Sequence, residues 1–134
     1  MEIHNPGTTT VELAGWVLRD EREDRECVLR DGVLGPGQYR VLCRSAAKFR
    51  WVHRSAPEPV GEFGFGLGNG GDALRLYDPR GVLSEAVAYD DDPPWPADAD
   101  GRGATLRLVR PELDHIRPEA WAASATRGGT PGGP

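Results

Sequence analysis

DALRLYDPRGVLSEAVAYD, residues 72–90, holds two runs of alternating character joined by a tight reversal. Leu74 and Leu76 alternate with Arg75 and Tyr77, and Leu83, Val87 and Tyr89 share one parity in the second run. Side chains of an extended chain point to opposite faces in turn, so a period of two marks a half-buried strand. Asp78-Pro79-Arg80-Gly81 separates the runs. Proline presets the φ of the first corner and glycine accepts a positive φ, which makes the segment a hairpin.

The same grammar extends outward. TVELAGWVLRD, residues 10–20, offers Val11 and Leu13, a break at Gly15, then Trp16 and Leu18. RECVLR puts Cys27 and Leu29 on one face, and GQYRVLCR alternates Tyr39, Val41 and Cys43 against Arg40, Leu42 and Arg44. ATLRLVR turns Leu106 and Leu108 inward and Arg107 outward. Asn5-Pro6-Gly7 reads as a type II turn, while LGPGQ and GLGNGG supply further reversals. Short strands separated by such turns predict an antiparallel sandwich. SAAKFRWVHR departs from the pattern: Ser45 suits an N-cap and Phe49 lies three residues before Val52, predicting one or two helical turns with Phe49 buried. A second short turn is expected at RPEAW around Glu119, and the Gly/Pro-rich tail 127–134 is expected to be extended or mobile.

A chain of 134 residues with 38% hydrophobic content suits one domain with one core. No run approaches the roughly 20 apolar residues of a membrane span, and the N-terminus lacks a basic segment followed by an apolar one. The abrupt start on a strand-like segment suggests a domain cut from a longer parent. A net charge of −5 argues against a partner held by phosphate contacts. Cys27 and Cys43 form no CxxC and have no histidine at zinc-finger spacing. They read as two buried thiols, or as a disulfide if their strands pair closely.

The first place to seek chemistry is YDDDPPWPADADGRGATL, residues 89–106, where Asp90, Asp91, Asp92, Asp98 and Asp100 flank Trp95. A calcium loop of EF-hand type needs oxygen ligands at its first, third and fifth positions and a glutamate at its twelfth. Counted from Asp98, the fifth is Arg102 and the twelfth Val109; counted from Asp90, the fifth is Pro94. Both registers fail. A glycosidase-like carboxylate pair needs one acid against an apolar wall, whereas acids crowded on a loop are solvated and serve turns. His4, His53 and His115 have no partner four residues away, and there is no GxSxG elbow. Around Trp51, the cations Arg44, Lys48, Arg50 and Arg54 interleave with Phe49. That mixture suits an acidic partner or a nucleic-acid backbone or, more plainly, a solvated amphipathic turn. Trp16 and Trp121 are expected to pack, and Trp51 and Trp95 to be partly exposed.

These segments together resemble the bacterial lamin tail domain. EIHNPG resembles its first strand and turn, VELAGWVLRD its V-x-L-x-G-W-x-L-x-D signature, and LGPGQYRVLCRSAAKF its L-x-P-G-x-Y-x-V strand with the helical turn that follows. The long half from LGNGGDALRLYD to the final GGTPGGP is similar in order and spacing, so the resemblance spans essentially the whole chain. It implies an all-β, immunoglobulin-like antiparallel sandwich with one or two short helical turns. It also implies a non-catalytic accessory module of a large bacterial surface or secreted protein, beside CotH-type or nuclease domains. Animal relatives bind chromatin and nuclear-envelope proteins, a role that the acidic charge here does not favour. The family's first strand usually begins a few residues earlier, which would leave a sheet edge open for a second chain.

The expectations are therefore a sandwich domain over 1–126 and a tail over 127–134. The protein is expected to attach to a protein or cell-surface partner, without cofactor, metal, nucleic acid or membrane insertion. It is expected outside the cell or in its envelope, as part of a larger chain. The contact surface is expected at Trp95 with Asp90, Asp91 and Asp92, or at Trp51. The alternatives are carbohydrate binding by exposed tryptophan and aspartate, a calcium-binding sandwich, and self-association through a sheet edge.

Overall fold

The computed structural model describes residues 1–133. Its longest ladder is the hairpin read from residues 72–90. Strands β8 (Gly71–Tyr77) and β9 (Leu83–Asp90) pair antiparallel with Leu74 opposite Val87. The Gly81 N–H donates to the Asp78 carbonyl at 2.9 Å, and Gly81 takes φ +81°. The Asp78 carboxylate also accepts the N–H groups of Arg80 and Val82, each at 2.9 Å. The turn residues thus satisfy their own backbone.

The remaining strands are short. They are β1 (Glu2–His4), β2 (Val11–Glu12), β3 (Val17–Arg19), β4 (Glu26–Val28), β5 (Val33–Leu34), β6 (Tyr39–Cys43), β7 (Gly61–Glu62), β10 (Leu106–Leu108) and β11 (Trp121–Ala123). One sheet runs β4-β3-β8-β9 and another β1-β6-β7; β2–β5 and β10–β11 form separate pairs. All pairs are antiparallel except β6–β7. Parallel neighbours need a crossover, and helix α1 (Ala46–Val52) lies in this one. Single 3-10 turns occur at Ala97–Ala99 and at Pro118–Ala120, the latter where RPEAW predicts it. No helix among the described residues is long and apolar enough to cross a membrane.

Leu18 and Cys27 of the four-stranded sheet meet Leu42 of the three-stranded sheet, together with Leu13, Leu29, Leu34, Phe63 and Phe65. Trp16, Leu74 and Leu76 pack against this cluster, as their parity predicts. Gly61 lies so close to it that a Cβ there would stand 2.8 Å from Leu29 Cδ2, which is why a strand carries glycine at this point. Asp20 ends the GWVLRD segment fully buried, at 0% exposure. A buried carboxylate needs partners. Its Oδ1 accepts the Arg22 N–H at 2.8 Å, and its Oδ2 pairs with Arg25 Nη1 at 3.0 Å. The Arg75 guanidinium donates to the Asp20 carbonyl at 2.7 Å. This knot closes the β3–β4 connection and ties it to β8.

Local expectations differ from the structure at four places. Gly7 does not take a positive φ, so Asn5-Pro6-Gly7 is not a type II turn. Buried Asn5 instead accepts the Gly7 N–H through its side chain at 3.0 Å and donates to the Thr9 and Leu34 carbonyls at 2.8 Å each. The type II geometry occurs at Gly35-Pro36-Gly37-Gln38, with Gly37 at φ +68° and the Gln38 N–H on the Gly35 carbonyl at 3.0 Å. Both faces of β6 are covered, because Val41 and Leu42 are each buried. Leu42 joins the core, while Val41 shares its face with its cross-strand partner Glu2. The C-terminal residues do not trail free: the Gly128 N–H donates to the Gly103 carbonyl at 2.8 Å, and the Glu2 carboxylate accepts the Gly132 N–H. Helix α1 has no buried residue, and Phe49 is only half-buried.

Candidate functional site

Helix α1 is built by local signals. Ser45 takes extended backbone angles, and its hydroxyl accepts the Lys48 N–H at 3.3 Å. A long-range cap joins it: the Glu62 carboxylate, on β7, accepts the Ala46 N–H at 2.7 Å. The helix ends with the His53 N–H on the Phe49 carbonyl at 2.8 Å. The N-terminal turn is therefore tied to the sheet, while the C-terminal turn faces water.

On that turn Trp51 is 74% exposed and Val52 61%. Val52, but not Trp51, lines a shallow groove of about 470 Å³ together with Cys43, Arg44, Ser45, Lys48, Phe49 and His53. The rings of Phe49 and His53 lie 4.9 Å apart. Arg44, Lys48 and Arg54 form no ion pair with a carboxylate among the described residues. Arg50 is engaged by Glu58 at 2.8 Å. The Cys43 thiol is pushed up chiefly by burial and then by Glu62, and burial pushes Cys27 up as well. Both thiols are free and stay protonated at neutral pH, so neither is an activated nucleophile. The Cys27 thiol donates to the Glu62 carbonyl at 3.4 Å.

The acidic loop is organised differently. Asp90 Oδ1 accepts the Asp92 N–H at 2.9 Å, the Trp95 N–H donates to the Asp92 carbonyl at 3.1 Å, and Asp98 pairs with Arg102 at 3.4 Å. Asp90, Asp91 and Asp92 are exposed. Among the described residues, no group of three His, Cys, Asp or Glu side chains is placed to hold a metal ion. Trp95 is half-buried, 6.5 Å from the Trp121 ring. The Trp121 indole N–H donates to the His115 carbonyl at 2.9 Å, and His115 Nδ1 lies 2.9 Å from the Glu85 carboxylate. Trp95 is thus held in a small cluster linking the loop, the β10–β11 hairpin and β9. The structure does not join it to Trp51, whose side chain makes no ring contact among the described residues. The Glu85–His115–Trp121 cluster is not legible in the sequence, because Glu85 on β9 lies far along the chain from the other two.

At the other end of β8, Asp72 accepts the N–H groups of Gly68 and Ala73, each at 2.8 Å. The Tyr89 hydroxyl donates to the Gly68 carbonyl at 2.8 Å. Burial, and then the Asp72 charge, push the Tyr89 phenol up to about 12. The side chains that frame GLGNGG are therefore occupied by its own backbone.

Residues 1–91 match the family model described as Lamin Tail Domain. Comparison with curated proteins and with solved structures gave no match. The matched region ends at the close of β9, so it takes in both large sheets and α1 but not the C-terminal hairpin.

Proposed function

Because the chain belongs to the lamin tail domain family through residues 1–91, we propose that it is a non-catalytic accessory module that docks onto a protein partner through the exposed face of α1. The family is immunoglobulin-like, and the fold is a β-sandwich of that kind. The reading includes a larger bacterial surface or secreted protein as the parent.

The observation that carries it is Trp51 on a capped helix, with most of its side chain in water. Tryptophan offers a large apolar area, and truncating such an anchor in an interface typically costs about 2 kcal/mol or more. Trp95 supports a sugar-stacking surface less well, because it is engaged with Trp121.

A photo-crosslinking benzophenone side chain in place of Trp51 tests the reading on cell-surface protein from the source cells. We expect a saturable crosslinked protein that excess unmodified chain displaces. Benzophenone at exposed Val28, on β4, should give no such product. Equal, non-saturable labelling from both positions would refute docking at α1.

A further inference from the structure

Strands β10 and β11 pair only with each other. The hydrogen bonds of the loop between them stay within the hairpin. The Val109 and Arg110 N–H groups both donate to the Ala120 carbonyl, the Leu113 N–H to the Arg110 carbonyl, and the Trp121 indole N–H to the His115 carbonyl. Among the described residues, Glu85–His115 is the sole ion pair or hydrogen bond between residues 106–123 and the two larger sheets. A hairpin fastened at one polar point depends on the state of that point.

Both ring nitrogens of His115 face acceptors. Nδ1 lies 2.9 Å from the Glu85 carboxylate, and Nε2 lies 3.1 Å from the Pro111 carbonyl. Neutral imidazole has one N–H and one bare lone pair, so it serves one acceptor and sets its lone pair against the other. Imidazolium donates to both. The side chain is 16% exposed, so water replaces a lost partner poorly. From β9 the ring meets Glu85, whose other oxygen accepts the Ala86 N–H at 2.9 Å. From β11 it meets the Trp121 ring, edge-on at 6.4 Å. The charged groups of its own segment are turned to one another: Arg110 pairs with Glu112 at 3.1 Å, and Asp114 accepts the Ile116 N–H and lies 3.9 Å from Arg117. Glu119, in the 3-10 turn that follows, is exposed. We infer that His115 is a proton-operated latch: the doubly protonated ring fastens the β10–β11 hairpin to β9, and loss of one ring proton frees it. Release uncovers the rim of β9 at Ala86 and separates Trp121 from Trp95, which stand 6.5 Å apart when the latch is closed. The latch operates apart from docking at α1.

Hydrogen exchange of backbone amides, read by NMR between about pH 5 and pH 8, tests the inference. Histidine side chains change charge in that range while carboxylates stay ionised. After correction for the intrinsic pH dependence, amides of residues 106–123 should exchange about ten-fold faster at the upper end, the scale of one lost charge-assisted hydrogen bond. Amides of β3 and β8 should keep their protection. Ring nitrogen spectra of His115 should show two N–H groups at the lower end and one at the upper. His115→Gln should abolish the pH dependence, whereas His4→Gln and His53→Gln should leave it intact. The inference is overturned by a ring that keeps one bare nitrogen throughout the range, by hairpin protection that is constant or rises with pH, or by the same fall in His115→Gln. Should His115→Gln fail to fold, the ring spectra and exchange of the parent chain decide the matter alone.

Discussion

Replacing Arg25 with alanine should destabilise this domain far more than its position suggests. Arg25 is 36% exposed, where truncation is ordinarily worth about 0.5 kcal/mol or less. Its partner Asp20, however, is at 0% exposure, and Arg25 is the only side chain in an ion pair with it among the described residues. Without Arg25, a carboxylate stays in the interior with the Arg22 N–H as its remaining donor. Breaking a fully buried pair from one side costs about 3–5 kcal/mol. Water admitted through the space left by Arg25 offsets part of this, so about 2–3 kcal/mol is expected. Asp20→Asn keeps the Arg22 bond and the packing while leaving Arg25 free to reach solvent, so about 1–2 kcal/mol is expected. The order Arg25→Ala worse than Asp20→Asn is the discriminating feature. Urea unfolding followed by tryptophan fluorescence reads both, with the slope unchanged and the midpoint lowered. Arg22→Ala is the control, because the role of that residue is carried by its backbone. A midpoint for Arg25→Ala within about 0.5 kcal/mol of the parent would show that Asp20 is not held as a buried charge.

Gly61→Ala brings a Cβ to 2.8 Å from Leu29 Cδ2 inside the core, and should cost about 1–3 kcal/mol in the same unfolding assay; a neutral result would mean that β7 can move away from β4 freely. Tyr89 keeps its proton to about 12 in the folded chain but loses it near 10.0 when unfolded. The unfolded state therefore binds fewer protons between those values, so its contribution is intact below 10.0 and falls as pH rises toward about 12. Melting temperatures across that window should drop less steeply for Tyr89→Phe than for the parent, and parallel curves would refute the assignment.

Much of the sheet architecture was written in local patterns. Asp78-Pro79-Arg80-Gly81 closes the hairpin because those residues satisfy the turn by themselves, whatever surrounds them. The parity of Leu18, Cys27 and Leu29 survives into the core because each strand has one face to bury. Ser45 caps α1 for the same local reason. At Asn5, by contrast, two local solutions competed: proline and glycine allowed a type II turn. The Leu34 carbonyl, brought alongside by folding, drew the asparagine amide into another arrangement.

The candidate surface divides along that line. That α1 would carry Trp51 among cations is in the sequence, since a short capped helix displays its residues in a known order. That Trp51 stays in water while Trp95 is half-buried is a tertiary outcome. Trp95 lies next to Trp121 because the β10–β11 hairpin returns to it, and no local spacing encodes that return. Gly132 returns to Glu2, at the opposite end of the chain, and Val41 is buried on a face that alternation alone would leave to water. Alternation and turn chemistry act over a few residues and so are legible in one dimension. Burial depends on what the rest of the chain places overhead, and only the folded structure decides that.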